Sequence, residues 1–236
     1  METKSLQVNN TKIKLFSFFD RVNLIQDKEK FLSKVIEDIR KTNSEGFAGF
    51  LDEAGFRYHF DFWNYGDKTN TKYPLNKISL DKCSKLVEEA LKKISNVLDK
   101  REIYLYLFPT LSKFTIKKMN GSSGRWIWNN IIYIDIFPTQ NWEDYFKSTV
   151  IHETAHALST YYSDDISIGE ELIFEGLAEH FQENFVGIKN PWTKALSREK
   201  IPEILKEIKP KLNKKDYELY SELFFGTGKY PLWAGY

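Results

Sequence analysis

The chain has 236 residues, 42% hydrophobic and 28% charged, the balance of a soluble globular protein long enough to bury a substantial core. Its 34 basic and 33 acidic side chains leave a net charge of +1, which argues against a nucleic-acid binder. The single cysteine, Cys83, excludes an intrachain disulfide framework and any multi-cysteine zinc site.

The N-terminus, "METKSLQVNNTKIKLFSFF", holds no run like a signal-peptide core, and no segment approaches membrane-spanning length. The expectation is a cytoplasmic protein without membrane insertion. Residues 27–41 predict an amphipathic helix with Phe31, Val35 and Ile39 on one face. In "GFRYHFDFW" the alternation predicts a strand carrying Phe56, Tyr58, Phe60 and Phe62 on one side. His59 falls on the other side and reads as a surface or strand-paired histidine. Residues 79–99 predict a helix capped by Ser79, with a continuous stripe from Leu80 through Cys83, Val87 and Leu91 to Leu98. Cys83 lies on that stripe and reads as a small buried hydrophobe.

"EIYLYLFPT" is a short apolar strand ended by Pro109. "SSGRWIWNNIIYIDIFP" is rich in β-branched and aromatic residues. It forms either a hairpin turning at Asn129 and Asn130 or one long strand, with Ile131–Phe137 as the favoured strand segment. Beyond Pro138 the pattern becomes helical: Asn141 suits an N-cap, and Glu143 and Asp144 suit a first turn.

That helix runs through "HETAH", which holds two of the four histidines. At four residues apart, His152 and His156 leave the helix roughly 40° from each other, on one face. Two imidazoles so placed reach one tetrahedral Zn²⁺. Glu153, directly after the first histidine, flanks the same face. It cannot easily be a third ligand from that turn, but it suits a general base acting on a zinc-bound water. The bland alternative is a pair of solvated histidines. Against it, Thr154, Ala155, Ala157 and Leu158 are small or apolar, which reads as a packed helix turning its polar face into a cleft.

The next helix, "SIGEELIFEGLAEHFQENFVG", opens on a capping-box pattern of Ser167 and Glu170 and closes at Gly187. Leu172, Ile173, Leu177, Phe181 and Phe185 form its expected apolar stripe. Glu175 follows His156 by 19 residues and is the candidate third ligand of a His₂Glu site. Glu179, one turn on, suits an acceptor for the second ring N–H of a ligand histidine. An exposed acidic face is the ordinary explanation of such a glutamate pair, and the preceding "HETAH" favours the metal. His180 is offset from that face and reads as non-ligating. Asn190 with Pro191, and Pro202, suit further helix starts.

"HETAH" followed by "FEGLAEHF" resembles the gluzincin metallopeptidases, whose third ligand is a glutamate on a second helix. A closer resemblance is to a bacterial family of predicted zinc-dependent proteases of unknown physiological function. Its motifs are matched by His152–His156, by Glu175–Glu179, by Pro191-Trp192 and by "WAGY" at Trp233–Tyr236. The likeness covers residues 100–236. Family members usually continue past the Trp-x-Gly-Tyr, whereas this chain stops at Tyr236. The resemblance implies an α+β, zincin-like metallopeptidase fold with a small mixed sheet, an active-site helix carrying "HETAH" and additional helices. Residues 1–100 would pack as a helix/strand region on a catalytic region over 101–236, in one compact unit.

The expected activity is zinc-dependent hydrolysis of a peptide or protein substrate. His152, His156 and Glu175 would hold Zn²⁺, Glu153 would activate the zinc-bound water, and Glu179 would stand behind a ligand histidine. In zincins an edge strand adds an extended substrate to the sheet, and "IIYIDIF" resembles that strand. Tyr236, Tyr161 and Tyr162 are candidates for stabilising the oxyanion, Tyr236 through docking of "PLWAGY" near the site. A non-catalytic binding or regulatory protein of the same fold, and a zinc hydrolase of a non-peptide amide, stay open as alternatives.

Overall fold

The computed structural model describes residues 1–42, 53–60, 68–99, 102–128, 130–159 and 166–230. The chain is α+β and divides into two compact units, Met1–Leu158 and Ser159–Tyr236. Among the described residues no helix is long and apolar enough to cross a membrane.

The first unit is built on a five-stranded mixed sheet. Its strands are β1 (Glu2–Val8), β2 (Thr11–Ser17), β3 (Glu102–Pro109), β4 (Ser122–Trp128) and β5 (Ile131–Ile136), in the order β1-β2-β3-β5-β4. The β1/β2 and β4/β5 pairs are antiparallel, and β2/β3 and β3/β5 are parallel. All six residues of β5 are buried, as are seven of the eight in β3. Continuous burial of this kind belongs to an interior strand covered on both faces. The edge beyond β5 is therefore β4, and the reading of "IIYIDIF" as the edge strand is corrected: that segment is interior. The 122–138 segment adopts the hairpin of its two alternatives, with Asn129 outside the described residues. Arg125 on β4 and Asp135 on β5 form a buried ion pair at 2.6 Å.

One face of the sheet carries α3 (Leu80–Lys93) and α5 (Trp142–Leu158), which pack on each other. α3 starts where its sequence says: the Ser79 hydroxyl accepts from the Lys82 amide at 3.2 Å. It ends earlier than expected, at Lys93, with residues 94–97 in turns. Cys83 is fully buried on it, and burial pushes its thiol well above the usual range. A short helix, α4 (Lys113–Lys117), leads into β4.

The opposite face is aromatic. α1 (Lys28–Thr42) presents Phe31, Val35 and Ile39, all fully buried, as expected. α2 (Glu53–Phe60) stands where a strand was expected over "GFRYHF". The error has a physical cause. Phe56 and Phe60 are four residues apart, a spacing that fits one face of a strand and one face of a helix equally well. The two rings stack at 5.5 Å, Phe56 meets Tyr133 edge-on, and Phe60 meets Phe108 edge-on at 4.9 Å. Phe62 and Trp63 lie outside the described residues, and so does the side chain of His59.

The second unit is helical: α6 (Ile168–Val186), a 3-10 turn at Pro191–Lys194, α7 (Lys200–Ile208) and α8 (Tyr217–Phe225). α6 has the anticipated ends, a complete Ser167/Glu170 capping box and Gly187 in the left-handed region at φ 73°. Its start is tied down by the Ile168 and Gly169 amides, which donate to the carbonyls of Lys214 and Leu212 at 2.9 and 2.8 Å.

Phe60 sits at the centre of the aromatic layer, against Phe31, Phe56 and Phe108. Phe60→Ala is expected to destabilise the protein by about 3–5 kcal/mol, measured by urea unfolding. A loss under about 1 kcal/mol would mean that this helix does not carry the layer.

Candidate metal centre

α5 runs from Trp142 to Leu158 and contains the whole of "HETAH". Trp142, Phe146, Val150, Ile151 and Ala157 are buried, but so are Glu153, Thr154 and His156. Only its first turn is exposed, at Asp144; from Ser148 to Leu158 every residue is buried or half-buried, the pattern of a buried helix rather than a surface amphipathic one. Glu153 is only 6% exposed. A carboxylate withdrawn from water to that degree is costly, and function is a common reason to retain one.

The two histidines face each other. Their ring centroids are 4.8 Å apart with planes at 79°, and the Nε2 atoms are 3.1 Å apart. Two nitrogens on one tetrahedral zinc at about 2.0–2.1 Å would be separated by about 3.3 Å. The observed pair therefore needs almost no adjustment to share an ion.

In the second unit α6 carries Glu171, Glu175 and Glu179. Glu179 is buried and accepts at Oε1 from Asn190 Nδ2, 2.7 Å away. Gln182, also buried, donates from Nε2 to the Ile188 carbonyl at 2.9 Å and ties the 188–190 segment back to α6. These polar anchors explain a second correction. Ile173 and Leu177, expected on an apolar stripe, are 60% and 66% exposed. The buried positions are instead Ile168, Phe174, Ala178, Glu179 and Gln182. His180 is exposed. Asn190 precedes the 3-10 turn as expected but makes no side-chain capping bond; its Nδ2 donates to Glu179 Oε1.

Glu171 and Tyr220 are neighbours of Glu175 that the sequence did not single out. Tyr220, on α8, is hydrogen-bonded to the Glu171 carboxyl. Burial, and then the charge of Glu175, push the Glu171 carboxyl up to about 7, against a smaller downward pull from the Tyr220 hydrogen bond. Burial first, and then Glu171 and Glu175, raise the Tyr220 phenol well above its usual range. Both shifts reflect burial of the Glu171–Tyr220 pair and the nearby charge of Glu175.

His152, His156 and Glu175 form a group that could hold a metal ion, one ligand atom of each lying within 4.8 Å of the others. Two imidazole nitrogens and a carboxylate oxygen are the donor set of a catalytic zinc site. Tyr161, Tyr162 and Tyr236 lie outside the described residues, as does "PLWAGY".

An α+β chain with a His-His-Glu group of this kind has the makings of a metal-dependent hydrolase. Residues 83–236 match the family described as "Predicted Zn-dependent protease (DUF2268)", and the chain belongs to that family. Neither a curated protein nor a solved structure matches the chain.

The raised Glu171 carboxyl carries a pH signature. The unfolded chain ionises this group near 4.5 and the folded chain only near 7. Its contribution is therefore fully favourable below pH 4.5, declines as pH rises through that window, and levels off above 7. In metal-free protein the decline amounts to roughly 3 kcal/mol. Urea unfolding across the window should show it, and Glu171→Gln should flatten it. An unchanged pH dependence in that variant would locate the titrating group elsewhere.

Proposed function

We propose that the protein is a zinc-dependent metallopeptidase of zincin-like fold, in which His152, His156 and Glu175 hold the metal and Glu153 is the general base. The observation that carries this reading is the grouping of those three ligand atoms, on a chain whose family is described as a Zn-dependent protease. Zinc, when bound, supplies Lewis acidity toward water and toward the scissile carbonyl.

The chain's own residues do the rest. Glu153 follows His152 directly, so its carboxylate flanks the ligand pair and is placed to take a proton from water and return it to the leaving amine. Glu179, oriented at Oε1 by Asn190, is assigned to receive a ring N–H from a ligand histidine and fix its tautomer. β4, the last strand of the sheet among the described residues, is assigned to the substrate: an extended peptide adds to its open side as a further strand. Tyr236 is the tyrosine proposed to donate to the developing oxyanion.

The roles separate experimentally. Purified protein should hold about one zinc per chain, and His156→Ala should lose most of it. Glu153→Gln should keep the metal while peptide hydrolysis falls by about 100-fold or more. Glu175→Gln should lower metal content and turnover together. A filled site in Glu175→Gln beside an empty one in Glu153→Gln would reverse the assignment.

A further inference from the structure

At one point β4 and α5 approach so closely that only a glycine fits between them. Gly124 lies mid-strand, paired in register with Ile134. A methyl group at its α-carbon would stand 2.5 Å from Glu153 Cγ, 2.8 Å from Glu153 Oε1 and 2.6 Å from Thr149 Cγ2. All three distances fall far inside ordinary van der Waals separation, about 3.5–4.0 Å for a carbon pair. Gly124 is not among the positive-φ residues, so its backbone does not call for glycine, and space is the remaining reason.

The walls of this slot are fixed. Thr149 stands one turn before Glu153 on the same face of α5. Its hydroxyl donates to the Tyr145 carbonyl at 2.9 Å and accepts from Ser122 Oγ, on β4, at 3.0 Å. On the other face of β4, Ser123 Oγ and Thr115 Oγ1 are hydrogen-bonded at 2.8 Å. β4 is further held by its pairing with β5. A side chain forced in at 124 would meet an anchored strand, an anchored threonine and the long side chain of Glu153, two of whose atoms lie within 3 Å of the added carbon.

We propose that Gly124 is a positioning residue for hydrolysis: its missing side chain is the slot in which Glu153 stands, and any β-carbon there displaces the carboxylate. The steric part stands on the distances alone. Its consequence for rate rests on the reading of Glu153 as general base. Neither histidine is among the three atoms that crowd the added carbon, so base and metal site respond differently.

The test uses the full chain. Gly124→Ala should retain its zinc while kcat for a peptide substrate falls by about 100-fold, the scale of a 1 Å misplacement, with KM changed by less than about twofold. A purely structural glycine would not split the parameters this way. The second readout is thermal. Gly124→Ala should lower Tm in the wild-type background and have little effect in Thr149→Ser/Glu153→Ala, which lacks all three obstructing atoms. Should the single variant not fold, Gly124→Ala/Thr149→Ser is compared with Thr149→Ser for turnover. Wild-type kcat in Gly124→Ala, or an equal Tm loss in both backgrounds, would overturn the proposal. A wild-type protein without zinc and without hydrolysis would end the functional reading and the rate consequence, while the Tm comparison would still report on the slot.

Discussion

His152 and His156 stand one helical turn apart with their Nε2 atoms 3.1 Å from each other, and the rest of the site is arranged around that separation. An α-helix brings side chains four apart onto one face. Keeping both rings turned toward one point also requires that the helix neither fray nor roll. Burial of Trp142, Phe146, Val150 and Ile151 holds α5 against the sheet, and the Ser122–Thr149 hydrogen bond sets its position along β4. Thr149, His152, Glu153 and His156 then share an arc of roughly 100° on the helix. The same approach to β4 that leaves no room for a side chain at Gly124 places Glu153 on one border of the arc, with the histidines toward the other.

The polar groups buried along α5 and α6 are poor choices for stability alone. Glu153, His156, Glu179 and Gln182 are all withdrawn from water, where an unsatisfied polar atom is costly and an apolar residue of equal size would serve packing better. Asn190 holds Glu179, and the Ile188 carbonyl holds Gln182. Glu171 has its own upward-shifted carboxyl beside Glu175. Clusters of shifted and buried ionisable groups are a mark of functional sites, and here they coincide with the His-His-Glu group.

Much of this was legible in the sequence, for reasons that differ by element. The start of α3 and both ends of α6 were written locally, in Ser79, in the Ser167/Glu170 box and in Gly187, because capping is satisfied within a few residues. The histidine spacing was likewise local. What escaped depends on contacts distant in sequence. Phe56 and Phe60 satisfy two periodicities at once, and only packing against Phe108 and Tyr133 decides for the helix. Which of β4 and β5 forms the edge is settled by the pairing of β5 with β3, which no short-range signal reports. Asn190 looked like a helix cap and instead holds Glu179. Gly124 sits inside a strand-like run where a glycine suggests a close backbone approach, yet its partner, Glu153, is 29 positions away.

The central claim, that one zinc is shared by the two helices' ligands, is tested most directly by anomalous diffraction at the zinc edge from crystals of the zinc-loaded protein. The account predicts one strong peak within about 2.0–2.2 Å of His152, His156 and a Glu175 carboxylate oxygen, with no fourth protein ligand. A peak bound by other residues, or one lacking Glu175 from its coordination, would contradict it.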